Sequence, residues 1–476
     1  MIAKPLLSST SNPFPTTGRR KAREQIMSQR FAGFDLHKKE VEACIIDASG
    51  KILHRARFAA TRDSITNFAI LNNLADNCSV AIEATTNTWP VAALLQPLCA
   101  AVIVSNPLRT KAIAQAKIKT DKVDSLVLAQ LLRTDFLPTV WIPNDETRRL
   151  RDLTTQRAML VSDRTRIKNR IHSILHQRLI PNPAGKLFSD TNLAWLRSAI
   201  SIDADGRDAL DCQLRLLEHG EAEIVIITAK LAGLAYKDKQ VQLLMTLPGV
   251  DFPIAQAILA AFGDISRFDS PNKAAAYFGI VPSTRQSGDK CYNGRITKQG
   301  RSHARWLLVQ AAQHLDEHPG PLGHFFRKLT RKKNRNVAVV ACARKLATIA
   351  WYMLTNNEPY RYALSRTVDE KLRRLRVLAT GERRKTGPKL GQPRSANHGT
   401  GVRTRALPGL DPIYAEAGLP PLQPLKPGEK KMLEQSGSAD FAESVRTDRR
   451  IVKRIGGKPG RQKKQPKESE PSPVAV

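Results

Sequence analysis

Two aspartates three positions apart, Asp121 and Asp124, open the helical run KTDKVDSLVLAQLL. This spacing puts both carboxylates on one face of a helix, where they repel each other. A first-turn acid followed by a solvated acid would explain the pair without any function. Two more acids in the same region favour a functional site, because Asp35 interrupts the apolar strand FAGFDLH and Glu83 interrupts SVAIEAT.

A buried carboxylate is costly unless it is paired or binds a cation. We therefore expect Asp35, Glu83, Asp121 and Asp124 to converge and to hold a pair of Mg²⁺ ions through oxygen ligands. Two such ions serve phosphoryl transfer, one activating the attacking oxygen and the other stabilising the leaving oxygen. Asp47 is a rival ligand, but it lies in the sequence DASG, where Asp is common in turns.

The segments that carry these acids indicate a mixed α/β domain over residues 30–143. Extended stretches come first, FAGFDLH and VEACIIDASGKILHRARFAA, the latter turning at DASG. Strands and helices then alternate: a helix from Asp63 to Asp76, the strand SVAIEAT, a helix from Trp89 to Leu98, the strand AVIVSN, and a helix from Lys119 onward. This order of acids on strand, strand and helix resembles the RuvC-like branch of the ribonuclease H fold.

A second reactive group centres on Ser287. Gly288 follows this serine, and five cationic residues lie near it in the sequence: Arg285, Lys290, Arg295, Lys298 and Arg301. A serine hydroxyl becomes a nucleophile when a base or a metal removes its proton and cations stabilise the developing charge. A loop that only contacts phosphates fits this local sequence as well.

The region between and after these sites is helical. Residues 145–179 have apolar positions at three- and four-residue steps, and a second helix, from about Asp208 to Leu234, is expected to return beside them. We predict a coiled-coil connector over residues 144–236, with a helix lying across nucleic acid as the alternative. Residues 240–265 have the layout of a helix-hairpin-helix, in which Gly249 would let the turn present backbone N–H groups to a phosphate.

The composition favours a nucleic-acid partner. Lys and Arg number 76 against 43 Asp and Glu, a net charge of +33, and polyanions are the natural counterpart of such an excess. The six cysteines form no CxxC pattern, so neither a zinc site nor a disulfide framework is indicated. With no signal-peptide pattern and no apolar run of about 18 residues, we expect a cytoplasmic bacterial protein without a membrane partner.

Five motifs, in order along residues 31–358, resemble the DEDD-type insertion-sequence transposases, relatives of the Piv DNA invertase. They are GFDLHKK, IEATTN, KTDKVDSLVLAQLL, the stretch from LPGVDFP to RQSGDK, and GRITKQGRSHARWLLVQAA. The resemblance implies a recombinase of a mobile element that is guided to its target by a bridge RNA. It also implies that Asp35, Glu83, Asp121 and Asp124 are the acidic tetrad and that Ser287 attacks DNA, in a dimer or tetramer whose subunits share the catalytic groups.

The same resemblance predicts a mainly helical C-terminal transposase domain, residues 237–362, containing the serine and the helix-hairpin-helix. The ends, residues 1–29 and 363–476, depart from the compact form of the family; we predict a flexible extension and a basic, disordered tail. An alternative function keeps the acids but not the serine chemistry, as a Mg²⁺-dependent RuvC-like nuclease for Holliday junctions. A third is a nucleic-acid binder without catalysis.

Overall fold

In the computed structural model the described residues are 29–113, 121–199, 201–382 and 401–455. The chain divides into two compact units, Met1–Asn144 and Asp145–Val476, here called the N-terminal and the C-terminal unit. Each unit has a hydrophobic core of its own. The predicted flexible extension, except residue 29, lies outside the described residues.

The N-terminal unit is built on one five-stranded sheet, which confirms the predicted mixed α/β class. The strand order is β3-β2-β1-β4-β5, with antiparallel pairs among β1 to β3 and parallel pairs among β1, β4 and β5. The strands are β1 (Arg30–Leu36), β2 (Glu40–Ile46), β3 (Ile52–Ala59), β4 (Cys78–Glu83) and β5 (Ala101–Ser105). The helices are α1 (Arg62–Leu71), α2 (Thr88–Leu95), α3 (Pro107–Ile113) and α4 (Asp121–Arg133).

The two faces of this sheet are covered differently. One face packs against α1 and α2 through a cluster that includes Phe34, Phe68 and Leu95. The other face packs against α4, and Gly33 allows the close approach: a Cβ at this position would lie 2.7 Å from the Ala129 backbone nitrogen and closer still to the Ser125 carbonyl. Strand β1 can therefore carry α4 directly above it, with the start of α4 near the end of the strand.

The C-terminal unit begins with two long helices, α5 (Asp145–Gln177) and, after the short α6 (Asp190–Ala194), α7 (Ala204–Lys237). These two helices run antiparallel. Arg157 donates to Thr228, Arg164 pairs with Glu221, and Arg178 pairs with Asp203, so partners early in one helix meet partners late in the other. Apolar residues of both helices form a separate cluster near their far end, which includes Ile171, Leu175 and Leu214.

The remaining described part of this unit is mostly helical, as predicted. One core joins the near ends of α5 and α7 to the later helices, with Leu153, Leu231 and Phe262 among its members. Two strands, β6 (Pro282–Ser287) and β7 (Lys290–Ile296), form a hairpin. The helices are α8 (Lys239–Met245), α9 (Phe252–Phe262), α10 (Pro271–Tyr277), α11 (Ser302–Ala312), α12 (Pro321–Thr330), α13 (Arg335–Asn356) and α14 (Ser365–Thr380).

The prediction of a disordered tail from residue 363 was wrong for the residues that the structure describes there. Helices α14, α15 (Leu410–Glu416), α16 (Pro427–Gln435) and α17 (Ala439–Ser444) follow, and β8 (Gly401–Leu407) pairs with β9 (Arg449–Ile455). Leu410, Ile413 and Tyr414 enter the core of the unit, and the Tyr414 hydroxyl donates to the Tyr360 carbonyl at 2.6 Å. Apolar residues at helical spacing outweigh the Pro, Gly and Lys content that indicated disorder.

Helix α13 is, among the described residues, the one whose length and composition would allow it to cross a membrane. Half of its most apolar window is buried inside the unit, where Cys342, Leu346 and Ala350 belong to the core. The core helix of a soluble protein can have the same length and apolar composition, so this feature is weak evidence for a membrane span.

Candidate functional site

A row of polar side chains crosses the α4 face of the sheet near the end of β1. Asp35 lies opposite Glu42 on β2, and Glu42 lies opposite Arg57 on β3. On the other side, Phe34 pairs with Ile82, which puts Glu83 one step further along β4, level with Asp35. Residues in register share a face of a sheet, so Glu42, Asp35 and Glu83 are neighbours on the face below α4.

Helix α4 supplies the other two predicted acids. Asp121 is the first residue of the helix and Asp124 follows one turn later; both are half-buried. The Gly33 contact holds this helix against β1, which brings its first turn to Asp35. Asp35 itself is only 8% exposed.

A histidine that the sequence analysis did not select lies between these acids. His37 Nε2 is 3.1 Å from Asp35 Oδ2 and 3.4 Å from Asp121 Oδ1. The three residues offer one ligand atom each, and these atoms lie within 4.8 Å of one another. The structure therefore brings together Asp35, His37 and Asp121 as a cluster, here called the acidic site.

The electrostatics of the acidic site reflect crowding of like charges. Burial raises the pKa of Asp35 above its ordinary value, and the charges of Asp124 and Asp121 raise it further, while His37 lowers it. A carboxylate that is both buried and surrounded by other carboxylates resists ionisation, and a cation relieves both penalties. Asp124 thus acts on Asp35, although the closest three-residue cluster does not contain it.

The donor set fits a divalent cation. Ligand atoms about 2.1 Å from an octahedral ion and at right angles to each other lie about 3 Å apart. The distances from His37 Nε2 to Asp35 Oδ2 and Asp121 Oδ1, 3.1 and 3.4 Å, are close to this edge length. The carboxylates of Asp35 and Asp121 supply oxygen ligands, which hard cations prefer. The side chains of Asp35, Asp121 and His37 could hold one ion, with Asp124 and Glu83 placed nearby on α4 and β4.

The sequence analysis did not select His37 of the acidic site or Glu42, which lies opposite Asp35. The signal that would have found Glu42 is the tight turn between β1 and β2: the His37 N–H donates to the Glu40 carbonyl at 2.9 Å. This hydrogen bond closes the turn, fixes the register of β1 against β2 and puts Glu42 opposite Asp35. Asp47, the rival ligand, instead stabilises the turn between β2 and β3, where its Oδ1 accepts hydrogen bonds from the backbone of Ser49 and Lys51, each at 2.9 Å.

Ser287 lies in the C-terminal unit, at the tip of the β6–β7 hairpin. It pairs with Lys290 across a two-residue turn, and Gly288 in this turn has a φ of +55°. Arg285 pairs with Tyr292 on the same face, so this face presents the serine, two cations and an aromatic ring that is 65% exposed. Within the described part of the chain, no residue hydrogen-bonds to the Ser287 hydroxyl.

The two ends of the hairpin, next to Phe278 and Lys298 and here called its foot, are fixed more firmly than its tip. Arg305 Nη1 donates to the Phe278 carbonyl at 3.0 Å and to the Lys298 carbonyl at 3.1 Å, which ties the two ends of the hairpin to α11. Arg301, also predicted to contact nucleic acid, is the N-cap residue of α11. Arg295 is exposed on β7.

A group of arginines surrounds Tyr277 beside this foot. Although burial raises the pKa of Tyr277, the charges of Arg267, Arg151 and Arg301 outweigh it and lower the pKa. The Arg267 guanidinium lies 4.4 Å from the centroid of the Tyr277 ring. Arg151 is buried, and burial together with the charge of Arg301 lowers its pKa to about 10. The region next to the serine hairpin is therefore strongly cationic.

Gly249 lies in the turn between α8 and α9, with a φ of +73°. A Cβ there would lie 3.0 Å from the Ala311 Cα and closer to the Ala311 carbonyl, so this glycine is needed for packing against α11. The start of α9 already has a carboxylate, because Asp251 accepts from the Phe252 N–H at 2.8 Å and pairs with Arg374. A phosphate at this turn would have to share the helix end with Asp251.

Two family models match different parts of the chain. A family model for transposases of the DEDD type, named for IS110, matches residues 32–180. A second family model, described as transposase of the IS116/IS110/IS902 family, matches residues 241–325. The first match contains all four predicted acids, and the second contains Ser287 and the turn at Gly249.

Individual relatives extend the likeness along the chain. The transposase for insertion sequence element IS1111A of Coxiella burnetii is 25% identical over 353 residues, which covers 72% of this chain and 94% of that protein. The pilin gene-inverting protein of Moraxella bovis is 24% identical over 350 residues, 70% of this chain and 98% of that protein. The putative transposase y4qE of Sinorhizobium fredii is 30% identical over 198 residues, 41% of this chain.

Proposed function

Because this chain belongs to the DEDD-type family of insertion-sequence transposases, we propose that it is a site-specific DNA recombinase that uses an acidic metal site and Ser287 as nucleophile. The observation that carries the proposal is the convergence of Asp35, His37 and Asp121 at the end of β1, beneath the start of α4. Divalent cations bound there, two Mg²⁺ ions in our proposal, would activate an attacking oxygen and stabilise a leaving one.

The residues of the chain have distinct roles in this reaction. Asp35 and Asp121 would hold the cations, with Glu83 and Asp124 as the other members of the acidic tetrad. The Ser287 oxygen forms an ester bond with a DNA phosphorus while the bond from that phosphorus to a deoxyribose oxygen breaks. The serine proton leaves, and the released sugar hydroxyl takes up a proton. Attack by the hydroxyl of another strand reverses these steps, joins the new partner and restores the serine.

The nucleic acid is held, in this proposal, by the cationic face around the serine. Lys290 and Arg285 flank Ser287 on the exposed hairpin, and Lys298, Arg295 and Arg301 lie towards its foot. Cations at these places neutralise phosphates without reading sequence. Sequence choice is therefore assigned to a bridge RNA, in line with the family resemblance. Gly249 contributes by positioning the turn between α8 and α9.

We further propose that a dimer or tetramer is the active form, with the acidic site of one subunit assisting the serine of another. The support is chemical: a serine hydroxyl needs a proton acceptor. The described hairpin offers Ser287 cations and a tyrosine but no hydrogen-bonded base. Mixing inactive Asp35→Asn and Ser287→Ala proteins should restore strand exchange if subunits share these groups.

The direct test is covalent capture of labelled DNA. The full chain is incubated with DNA carrying the sequences that flank the gene, with RNA transcribed from those flanks, and with Mg²⁺ or Mn²⁺. Wild-type protein should give a protease-sensitive adduct on a denaturing gel, and Ser287→Ala should give none. Ser302→Ala, an exposed serine at the start of α11, is the matched control and should keep the adduct.

Two results would count against the proposal. An adduct of undiminished yield in the Ser287→Ala protein would remove the serine from the mechanism. Nicked DNA without any adduct in the wild-type protein would favour a metal-dependent junction nuclease, which uses the acidic site alone.

A further inference from the structure

The position of His37 in the acidic site is fixed by its backbone. Its N–H donates to the Glu40 carbonyl at 2.9 Å, and its carbonyl accepts from Asn87 Nδ2 at 3.2 Å. The residue lies two positions after Asp35, so its ring points to the same face of the sheet. The imidazole is therefore held over the gap between Asp35 and Asp121, while about half of the side chain remains exposed.

This geometry allows two roles for the ring. As a cation, His37 would neutralise the acids by pairing with Asp35 and Asp121. As a metal ligand, it would point a nitrogen lone pair at the position that both carboxylates face. The distances fit the ligand role: His37 Nε2 and one oxygen of each aspartate lie within 4.8 Å of one another, close enough to share one ion.

We propose that His37 is a nitrogen ligand of the divalent-cation site and that it shifts the metal preference of this protein from Mg²⁺ towards Mn²⁺. The inference rests on the proposed function, since it takes the acidic site to be a metal site. Mg²⁺ and Ca²⁺ strongly prefer oxygen ligands. Mn²⁺ also favours oxygen ligands and stands lowest among the first-row ions in its affinity for nitrogen, but it is a softer ion than Mg²⁺ and accepts an imidazole ligand more readily than Mg²⁺ does. A site with two carboxylates and one imidazole should therefore gain affinity mainly for Mn²⁺.

The test measures metal binding by the full chain in the absence of nucleic acid. Mn²⁺ is titrated and its free fraction is read from its electron paramagnetic resonance signal, and Mg²⁺ affinity is obtained by competition. The variants are His37→Asn, the matched control His54→Asn on the exposed surface of β3, and Asp35→Asn. Thermal unfolding confirms that each variant is folded.

The expected result is selective. His37→Asn should lose Mn²⁺ affinity by roughly tenfold and Mg²⁺ affinity by much less, whereas His54→Asn should match the wild type. Pulsed electron paramagnetic resonance of bound Mn²⁺ should detect a coupled nitrogen-14 nucleus in the wild type and lose it in His37→Asn.

Two outcomes overturn the inference and remain distinguishable. If Asp35→Asn loses metal but His37→Asn keeps both the nitrogen coupling and the Mn²⁺ to Mg²⁺ ratio, the acidic site stands and His37 is not its ligand. If Asp35→Asn binds metal as the wild type does, the metal site of the proposed function fails as well.

Discussion

The acidic site and the serine hairpin are positioned in opposite ways. Asp35 is almost fully buried, on a central strand whose register and covering helix are both fixed by packing. Ser287 is exposed at the tip of a two-stranded hairpin, and its neighbours Arg285 and Lys290 are exposed too. The acidic site is thus preorganised by the core of its unit, whereas only the turn and the foot of the hairpin position the serine.

This difference corresponds to the two kinds of chemistry that we propose for these residues. A metal site must hold several negative charges close together before the metal binds. Their repulsion and burial destabilise the metal-free fold, and the packing of a rigid core offsets this cost. A nucleophile that must reach a phosphate can stay on an exposed element and become ordered when nucleic acid binds. We expect substitutions of the reactive side chains in both places to affect catalysis, whereas a substitution that disturbs the packing beneath the acidic site, at Gly33, should lower stability as well.

The largest effect should come from Asp35→Asn. Loss of this ligand should slow strand cleavage by at least about a thousandfold, roughly 4 kcal/mol in the barrier. Because burial and neighbouring acids disfavour the charged form of Asp35, the metal-free variant should melt at the same temperature as the wild type or slightly higher. Cleavage assays and thermal unfolding in chelator measure the two effects.

The matched control is Asp76→Asn, an exposed acid just before β4, which should change neither quantity. A clear loss of stability in metal-free Asp35→Asn would show that the carboxylate itself stabilises the fold. The acidic site would then not be a group of charges that the core holds at a cost, as the comparison with the hairpin assumes.

Much of the N-terminal unit could be predicted from the sequence, because most of its strands are apolar runs bounded by turn residues, although helix α3 was not predicted. Asp35 and Glu83 stood out as acids in strands that are otherwise suited to burial. His37 and Glu42 did not, since their place depends on the turn that sets the register of β1 and β2. A one-residue change in that register would have moved Glu42 to the opposite face.

The C-terminal unit was less predictable beyond residue 363. Helices α15 to α17 are short, and their apolar residues stabilise them only by packing against distant parts of the chain. Leu433, for example, belongs to the same core as Val241 and Phe262. The apolar spacing within such short helices is a weak signal, so a composition rich in Pro, Gly and Lys led to the prediction of disorder.

His318 is a buried ionisable group outside the acidic site and the hairpin. Burial and the charges of Arg327 and Lys371 lower its pKa to about 4, and its Nδ1 accepts from the Gly320 N–H at 3.1 Å. The folded pKa lies below the unfolded value of about 6.5. The unfolded chain therefore binds the proton first, and stability is lost as pH falls from 6.5 through 4.

The complete shift corresponds to about 3 kcal/mol. His318→Asn, which keeps a hydrogen-bond acceptor without a titrating group, should remove this part of the pH dependence. Denaturant unfolding at pH 7.5 and pH 4.5 measures it, and exposed His314→Asn is the control. Equal pH dependence in His318→Asn and the wild type would mean that the imidazole is not held neutral by burial.

The packing of α4 on β1 can be tested with Gly33→Ala. The added methyl group would collide with the backbone of Ser125 and Ala129, so the helix must move. We expect a loss of about 1–3 kcal/mol in the free energy of unfolding of the N-terminal unit, typical of overpacking. Metal affinity should fall with it, because the shift carries Asp121 away from Asp35.

Gly294→Ala on the hairpin is the matched control. A Cβ there would collide only with the Ser283 side-chain oxygen, at 2.5 Å, and this side chain can rotate away. Wild-type stability in Gly33→Ala would show that α4 is not held by this contact.

The smallest effect on stability is expected at Gly288, the turn residue beside Ser287. Its φ of +55° suits Gly and Asn but costs other residues about 1–2 kcal/mol, and no atom lies within 4 Å of an added Cβ. Gly288→Asn should therefore keep the turn, while Gly288→Val should open it. Since the hairpin tip lies outside the core, global unfolding should be nearly the same in both.

The yield of the covalent DNA adduct and the rate of proteolysis within residues 282–296 should separate the two variants. Equal adduct yields would mean that bound nucleic acid, rather than the turn, determines where the serine lies.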